Sequence, residues 1–189
     1  MRSLALTLVF LAVVLVGCSE DQNPLSNNTS GEQPTTTLQK PALPFQGSAT
    51  GMSTTHQSPT CVWPYTLEQS ASGTGDFSHM GHCTATATYC VGWYWTPGVS
   101  PLPWSGPVIG TGTIKAANGD EVYFSTTSTY TVPNAMPLMN YSTGTYTITG
   151  GTGRFAGATG TGTLTGVQEL AQFGTQHVTT FTVNGTIVY

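Results

Sequence analysis

Apolar and polar residues alternate in short runs from Phe45 to the end of the chain, and this alternation predicts β-strands. The runs are rich in Thr, Gly, Tyr, Val and Ile, and successive side chains of a strand point to opposite faces of a sheet. No window shows the three- and four-residue apolar spacing of an amphipathic helix. About seven or eight strands with short turns are expected, which predicts an all-β barrel or sandwich. The clearest of these strands cover 108–117, 120–130, 141–149, 160–167 and 177–189.

The alternation between residues 76 and 89 predicts one long strand, because few glycines interrupt it. The even-numbered positions of this segment are mostly polar and are expected to face solvent. The opposite face would carry Phe77, His79, Gly81, Cys83, Ala85, Ala87 and Tyr89. His79 is therefore expected to point into the interior.

Residues 92–107 interrupt the alternation with tryptophans, a tyrosine and four prolines. Because proline cannot donate to a sheet ladder, this density of prolines excludes a central strand and predicts a long aromatic loop. Its tryptophans either line a ligand site or plug the core. The candidate ligand-lining residues are Trp93, Trp95, Trp104 and His79.

Two glycine-containing turns separate predicted strands. Asn118-Gly119 lies between alternating runs and predicts a tight hairpin, since both central residues of such a turn need positive φ. At 150–158 the chain runs Gly-Gly-Thr-Gly-Arg-Phe-Ala-Gly-Ala, which permits a sharp reversal at a barrel rim. The residues that define this turn are Gly150, Gly151, Gly153, Arg154 and Phe155. Phe155 is expected to anchor the turn in the core, and Arg154 to pair with an acidic residue, for which the candidates are Asp76, Asp120 and Glu121.

The N-terminus has the features of a secretory signal. A single charge, Arg2, precedes an apolar run from Leu4 to Val16, which is too short for a comfortable bilayer span. The run ends in Leu-Val-Gly-Cys, which resembles the bacterial lipobox, where the cysteine becomes an acylated N-terminus. We expect residues 1–17 to be a lipoprotein signal peptide and Cys18 to carry the lipid. An ordinary signal peptide with an incidental cysteine is the alternative.

Lipidation would attach the protein to a membrane of the bacterial cell envelope, with the outer membrane as the expected location and the domain outside the cytoplasm. Residues 18–43 contain much Ser, Asn, Thr, Gln and Pro and little apolar surface, which predicts a disordered linker. The barrel domain is then expected to cover residues 44–189.

Charge is sparse, at 6% of residues, and only Lys40, Lys115 and Arg154 are basic beyond Cys18. Such a surface cannot neutralise nucleic-acid phosphates, so nucleic acid is not an expected partner. His79 and His82 would face opposite sides of the predicted strand, so they do not form a metal site. No cofactor is expected. The sequence has no nucleophile elbow and no evident carboxylate pair, so no catalytic residue is assigned.

After lipidation, Cys61, Cys83 and Cys90 remain, which allows one disulfide in an oxidising compartment. On an extended strand Cys83 and Cys90 would point to opposite faces about 23 Å apart. We therefore expect Cys61 to pair with either Cys83 or Cys90. Three buried, reduced thiols are the alternative.

Four segments, in order, resemble the allene oxide cyclase and dirigent barrel superfamily in its bacterial branch. The most specific is Ile-Thr-Gly-Gly-Thr-Gly-Arg-Phe-Ala-Gly-Ala at 148–158. The others are Gly-Asp-Phe-Ser-His-Met-Gly at 75–81, Ala-Ala-Asn-Gly-Asp at 116–120 and Phe-Thr-Val-Asn-Gly-Thr-Ile at 181–187. The resemblance covers roughly residues 45–189 and implies a closed eight-stranded antiparallel barrel, which has room for packed side chains or one small ligand.

Plant members of this superfamily cyclise an allene oxide or guide radical coupling, but their functional positions find no match here, so neither activity is carried over. The expected function is a lipid-tethered module that binds a small apolar molecule or an envelope partner. The alternatives are an isomerase- or cyclase-like enzyme in the barrel mouth and a purely structural surface lipoprotein. A partly apolar cavity with convergent polar groups would favour binding or catalysis, whereas a filled interior would favour a structural role. The oligomeric state is left open.

Overall fold

A computed structural model of the protein describes residues 40–92, 104–133, 139–169 and 176–189. Eight strands form one closed antiparallel barrel in which each strand pairs with the next and β8 pairs with β1. The predicted all-β fold and the eight-stranded closed barrel are thus confirmed. The strands are β1 (Leu43–Gln57), β2 (Tyr65–Phe77), β3 (Gly81–Gly92), β4 (Trp104–Ala116), β5 (Glu121–Val132), β6 (Met139–Gly151), β7 (Thr159–Glu169) and β8 (Gln176–Val188). The predicted signal peptide, Cys18 and most of the predicted linker lie outside the described residues.

The strands of this barrel have two kinds of connection. Short turns at 78–80, 117–120 and 152–158 join strands at one end, which we call the base, and Leu43 begins β1 at the same end. The strand ends that are connected through 58–64, 93–103, 133–138 and 170–175 lie at the opposite end, which we call the mouth. The chain therefore enters the barrel at the base.

The base half of the interior is filled by apolar side chains. Inward-facing Phe45, Phe77, Val122, Ile148 and Ile187 are buried within one cluster. The short helical turn Gly153–Phe155 closes this end from below, and Phe155 is completely buried. Outward positions on the same strands are mostly polar, with threonine the most frequent residue, which gives the alternating pattern of a barrel with one wet face.

The prediction of one long strand over 76–89 is wrong. Phe77 ends β2 and Gly81 begins β3, and a hydrogen bond of 3.1 Å from the Met80 amide to the Phe77 carbonyl closes the turn between them. His79 adopts a left-handed backbone with φ of 65°. The turn preserves the inward parity of Phe77 and Cys83, so alternation alone cannot reveal the reversal.

The predicted loop 92–107 also needs correction, because β4 begins at Trp104 and includes Pro107. Pro107 pairs with Thr129 of β5, whereas the ladder between β3 and β4 ends at Val91 and Val108. One side of β4 is therefore unpaired around Pro107, and the missing N–H is tolerated there.

Candidate functional site

The inward-facing residues change from apolar to polar in the mouth half of the barrel. These polar residues come from β1, β2 and β5 to β8 and form one wall of the interior. They are Ser53, Gln69, Thr126, Ser128, Asn140, Ser142, Gln168, His177 and Thr179. The facing wall is apolar and consists mainly of Tyr89, Val91, Val108 and Tyr130. We call the space between these walls the chamber.

Gln69 organises one side of the chamber. Its amide nitrogen lies 3.2 Å from the Ser53 hydroxyl, 2.9 Å from Oε1 of Gln168 and 3.4 Å from Nε2 of His177. The Ser53 hydroxyl in turn lies 2.5 Å from the hydroxyl of Thr179. This network joins four strands and fixes the orientation of the side chains that it includes.

The other side of the chamber contains buried polar atoms without a partner. Neither Oγ1 of Thr126 nor Oδ1 of Asn140 has a hydrogen bond among the described residues. Leaving such an atom unsatisfied costs about 1–3 kcal/mol. A cavity of about 50 Å³ lies beside Asn140, with Ser128 and Ser142 also in its lining. It exceeds the 10–15 Å³ or so that one water molecule requires.

No charged side chain lines this cavity in the described part of the chain. Glu68 points outward instead, where it accepts hydrogen bonds from Ser58 and Thr60 and lies 3.5 Å from His56. These hydroxyl hydrogen bonds are the main reason that the pKa of Glu68 falls below its usual value. The chamber therefore offers hydroxyl, amide and imidazole groups opposite an apolar wall, and it suits an uncharged amphipathic group.

Burial raises the pKa of Tyr89, which lies on the apolar wall, to about 12. An unfolded tyrosine ionises near pH 10, so between about pH 10 and 12 the unfolded chain releases a proton that the folded chain retains. Stability that is fully present below pH 10 is therefore lost as the pH rises through this interval. The Tyr89→Phe variant should lose about 1 kcal/mol less than wild type between about pH 9 and pH 11. Urea unfolding at both values measures this, and equal losses in the two proteins would contradict it.

The structure describes only some of the four residues that were predicted to line a ligand site. Trp93 and Trp95 fall outside the described residues, and Trp104 begins β4 with a side chain that is not described. His79 is an exposed residue of the base turn, where its Nε2 lies 2.8 Å from the Pro44 carbonyl oxygen. Its ring centroid lies 5.9 Å from that of Tyr189. The structure therefore places His79 at the opposite end from the chamber, because the unforeseen reversal at 78–80 removes it from the inner face.

The glycine-rich turn at 150–158 closes the base. Gly150 and Gly153 have positive φ, at 150° and 56°, whereas Gly151 lies in ordinary extended backbone. Arg154 donates to the His79 carbonyl and its Nε lies 3.6 Å from Oδ2 of Asp120, so Asp120 is its partner among the three candidates. These contacts join the glycine-rich turn to the turns at 78–80 and 117–120.

The cysteines form one disulfide, between Cys61 and Cys90, whose Cα atoms are 5.5 Å apart. Cys83 is free and buried near the base, with its thiol 3.2 Å from the Gly81 carbonyl oxygen. Desolvation raises the pKa of this thiol. The disulfide ties the β1–β2 connection to the mouth end of β3, beside the chamber.

Replacing Cys61 and Cys90 together with serine should lower the free energy of unfolding by about 3 kcal/mol, because the bridge restricts a loop of intermediate length in the unfolded chain. Urea unfolding with and without reductant measures this. Reductant should destabilise wild type and leave the double variant unchanged. A wild-type protein that is insensitive to reductant would contradict the expectation.

Comparison of the chain with protein-family models, curated proteins and solved structures finds no match. Among the described residues, no helix has the length and apolar character needed to cross a bilayer. Within the same ranges, no three His, Cys, Asp or Glu side chains are grouped as a metal site would require.

The chamber residues were not singled out from the sequence, although the sequence contains a signal for them. In β5 the inward series runs from Val122 and Phe124 to Thr126 and Ser128 before it becomes apolar again at Tyr130. Two successive polar residues at inward-facing positions of a strand are not explained by core packing alone, because burying a polar group costs free energy. Combining such pairs from several strands would have located the chamber.

Proposed function

We propose that the chamber binds a small uncharged molecule that has an apolar body and a compact polar group. The observation that carries this proposal is the buried Asn140 carbonyl oxygen, which lacks a hydrogen-bond partner and lies beside a cavity in a charge-free interior. The polar group would donate to Asn140, and its apolar body would contact Val91 and Val108 on the facing wall. The size of the cavity limits the part that enters fully to a small donor group such as an alcohol or a primary amide.

A role in stability alone accounts less well for this half of the barrel. In the base half, the interior is filled by large apolar side chains, and Phe45, Phe77 and Ile187 lie in one buried cluster. A barrel that needed only stability could fill its mouth half in the same way. Replacing polar residues by apolar ones of similar size would remove the penalty of unsatisfied atoms in the mouth half. That these residues are instead polar and converge on a cavity supports binding.

Native mass spectrometry of the full chain, purified without denaturant from the cells that produce it, tests this proposal. Wild type should carry an additional small mass that unfolding releases. In the Ser142→Leu variant, whose new side chain enters the cavity, this mass should be absent. The matched control Thr143→Val, on the outer face of the same strand, should retain it. A wild-type protein without added mass that also remains unchanged after incubation with extracted cellular lipids and metabolites would refute the proposal.

We further propose that Cys18 carries acyl chains that attach the protein to the cell envelope, as the Leu-Val-Gly-Cys pattern supports. Because the chain enters the barrel at the base, this anchor would connect to the end opposite the chamber. The Cys18→Ala variant should move from the membrane fraction to the soluble fraction after cell lysis, since it lacks the thiol that is acylated. Retention of that variant in the membrane fraction would refute lipid attachment.

The glycine-rich turn at 150–158 supports one more proposal, that the barrel is related to the allene oxide cyclase and dirigent superfamily. The segment at 148–158 that carries the resemblance is also the segment in which Phe155 closes the base. The proposal concerns ancestry and fold, and no activity of that superfamily is assigned to the chamber.

A further inference from the structure

A shallow depression lies on the outer wall of the barrel, away from the chamber. It has a volume of about 530 Å³ and crosses five strands, from β2 to β6. Neighbouring strands lie about 4.8 Å apart, so it extends for roughly 19 Å. We call it the outer groove. Its outward-facing lining includes Thr86, Thr88, Thr111, Thr113, Ser125 and Tyr123.

The sequence explains why the wall is concave here. The inward positions behind the groove are small, and they include Ala71, Ala87 and Gly112. A Cβ atom added to Gly112 would lie 2.4 Å from Cζ of Phe124, which shows how closely the backbone approaches the core. Small inward residues let the wall move towards Phe124, and the outer surface is correspondingly recessed.

The outward-facing part of the lining is rich in neutral hydroxyl groups that are available to a partner. Among the described residues, the hydroxyls of Thr86, Thr88, Thr111, Thr113 and Ser125 have no hydrogen-bond partner within the chain. They lie in register across strands, because Thr86 pairs with Thr113 and Thr88 pairs with Thr111. A β-sheet fixes the spacing of these groups, so little ordering is needed when they bind.

One end of the groove has an aromatic ring that the protein holds in place. The Tyr123 hydroxyl donates to Oε2 of Glu121 at 3.0 Å, and Nζ of Lys115 lies 3.0 Å from the other carboxylate oxygen. The hydrogen bond to Glu121 is the first cause of the raised pKa of Tyr123. The ring is therefore oriented before any partner arrives, and it offers a flat apolar face beside the hydroxyl groups.

We propose that the outer groove binds a neutral glycan chain. A glycan presents hydroxyl groups that can both donate and accept, and its sugar rings have apolar faces that pack on an aromatic ring such as that of Tyr123. The alternatives fit less well, because a nucleic acid requires cations that the lining lacks and the core of a protein interface is enriched in aromatic and apolar residues. The 19 Å or so of the groove accommodates a short segment of such a chain.

Titration calorimetry of the folded full chain with three probes tests this proposal. The probes are hexasaccharides of α1,4-linked glucose, β1,4-linked glucose and β1,4-linked N-acetylglucosamine. At least one should bind, and Tyr123→Ala should weaken its binding by about tenfold or more, which corresponds to about 1.4 kcal/mol. Tyr123→Phe, which retains the ring, should bind within about threefold of wild type.

Two further variants separate a specific site from general surface adhesion. Thr113→Val keeps the shape of the side chain but removes one hydroxyl, and should weaken binding by about threefold. Thr165→Val makes the same change on the outer face of β7, outside the groove, and should have no effect. Ser142→Leu, which fills the chamber, should also leave glycan binding unchanged. Glycan binding in the outer groove can therefore be tested independently of ligand binding in the chamber. Absence of binding by all three probes at millimolar concentration, or equal weakening by Thr113→Val and Thr165→Val, would overturn the proposal.

Discussion

Replacing Phe155 with alanine should lower the free energy of unfolding by about 3–5 kcal/mol, the range for a large buried aromatic residue. Phe155 has no exposed surface, and its ring lies 4.8 Å from that of Tyr189. The Arg154 guanidinium carbon lies 4.8 Å from the centre of the same ring. Because Phe155 closes the base from a short turn, no neighbouring strand can move in to fill the space that it leaves.

Urea unfolding of wild type, Phe155→Ala and Tyr141→Ala measures this effect. Tyr141 is 45% exposed on the outer face of β6, so its truncation removes a similar side chain without opening a cavity, and should cost less than about 1 kcal/mol. A Phe155→Ala variant as stable as Tyr141→Ala would show that the base does not depend on this residue.

The second large effect is expected for Gly151→Val, at about 4 kcal/mol, because the new side chain would overlap fixed backbone. A Cβ atom at Gly151 would lie 2.3 Å from the Glu121 carbonyl oxygen and 2.8 Å from Cβ of Phe155. Positive φ is not the reason, since Gly151 has ordinary extended backbone and the left-handed positions of this turn are Gly150, Gly153 and Gly157.

Gly166→Val provides the matched control for this change. Gly166 is also a strand glycine that faces inward, but the nearest atom to its added Cβ is Cβ of Ser142 at 3.4 Å, and the chamber lies beside it. Its substitution should cost about 1 kcal/mol or less. Thermal unfolding of both variants measures this difference, and Gly151→Val should have the lower melting temperature. Equal melting temperatures would contradict the steric explanation.

The class of fold could be predicted because barrel strands must alternate between a core face and a wet face. The hairpin at Asn118-Gly119 was also predictable, but its turn type was not. Gly119 has a φ of 93°, whereas Asn118 does not have the positive φ that the predicted two-residue turn requires. The Gly119 amide instead donates to the Ala116 carbonyl, and the Ala116 amide donates to the Asp120 carbonyl, so the loop is longer than predicted. The turn at 78–80 was not predictable, because it uses His79 at positive φ, a conformation that few residues other than glycine adopt. A reversal that keeps the inward parity of the flanking residues leaves no trace in the alternation.

The disulfide and the chamber show a different limit of sequence reasoning. Spacing narrowed the partner of Cys61 to Cys83 or Cys90, but the choice depends on which end of the barrel each occupies. Cys90 lies at the mouth beside the β1–β2 connection, and Cys83 lies near the base. The chamber likewise depends on register, since Gln69 meets Gln168 and His177 only when β2, β7 and β8 close around one interior.

The two halves of the interior differ in the side chains that fill them. The base half, closed by Phe155, supplies the buried apolar surface on which stability depends. In the mouth half, polar groups around Gln69 and Asn140 replace part of that apolar surface, and we propose that this half binds the ligand. Variants in the base should change stability, whereas Ser142→Leu should change bound mass with little loss of stability, because it replaces a polar lining with apolar contact.

A high-resolution crystal structure of the protein purified without denaturant would show whether the chamber holds a ligand. We expect electron density for a small molecule in the chamber, with a donor atom within hydrogen-bond distance of the Asn140 side-chain oxygen and its apolar body against Val91 and Val108. A chamber that contains only ordered water, or that side chains have closed, would show that the chamber is not a binding site.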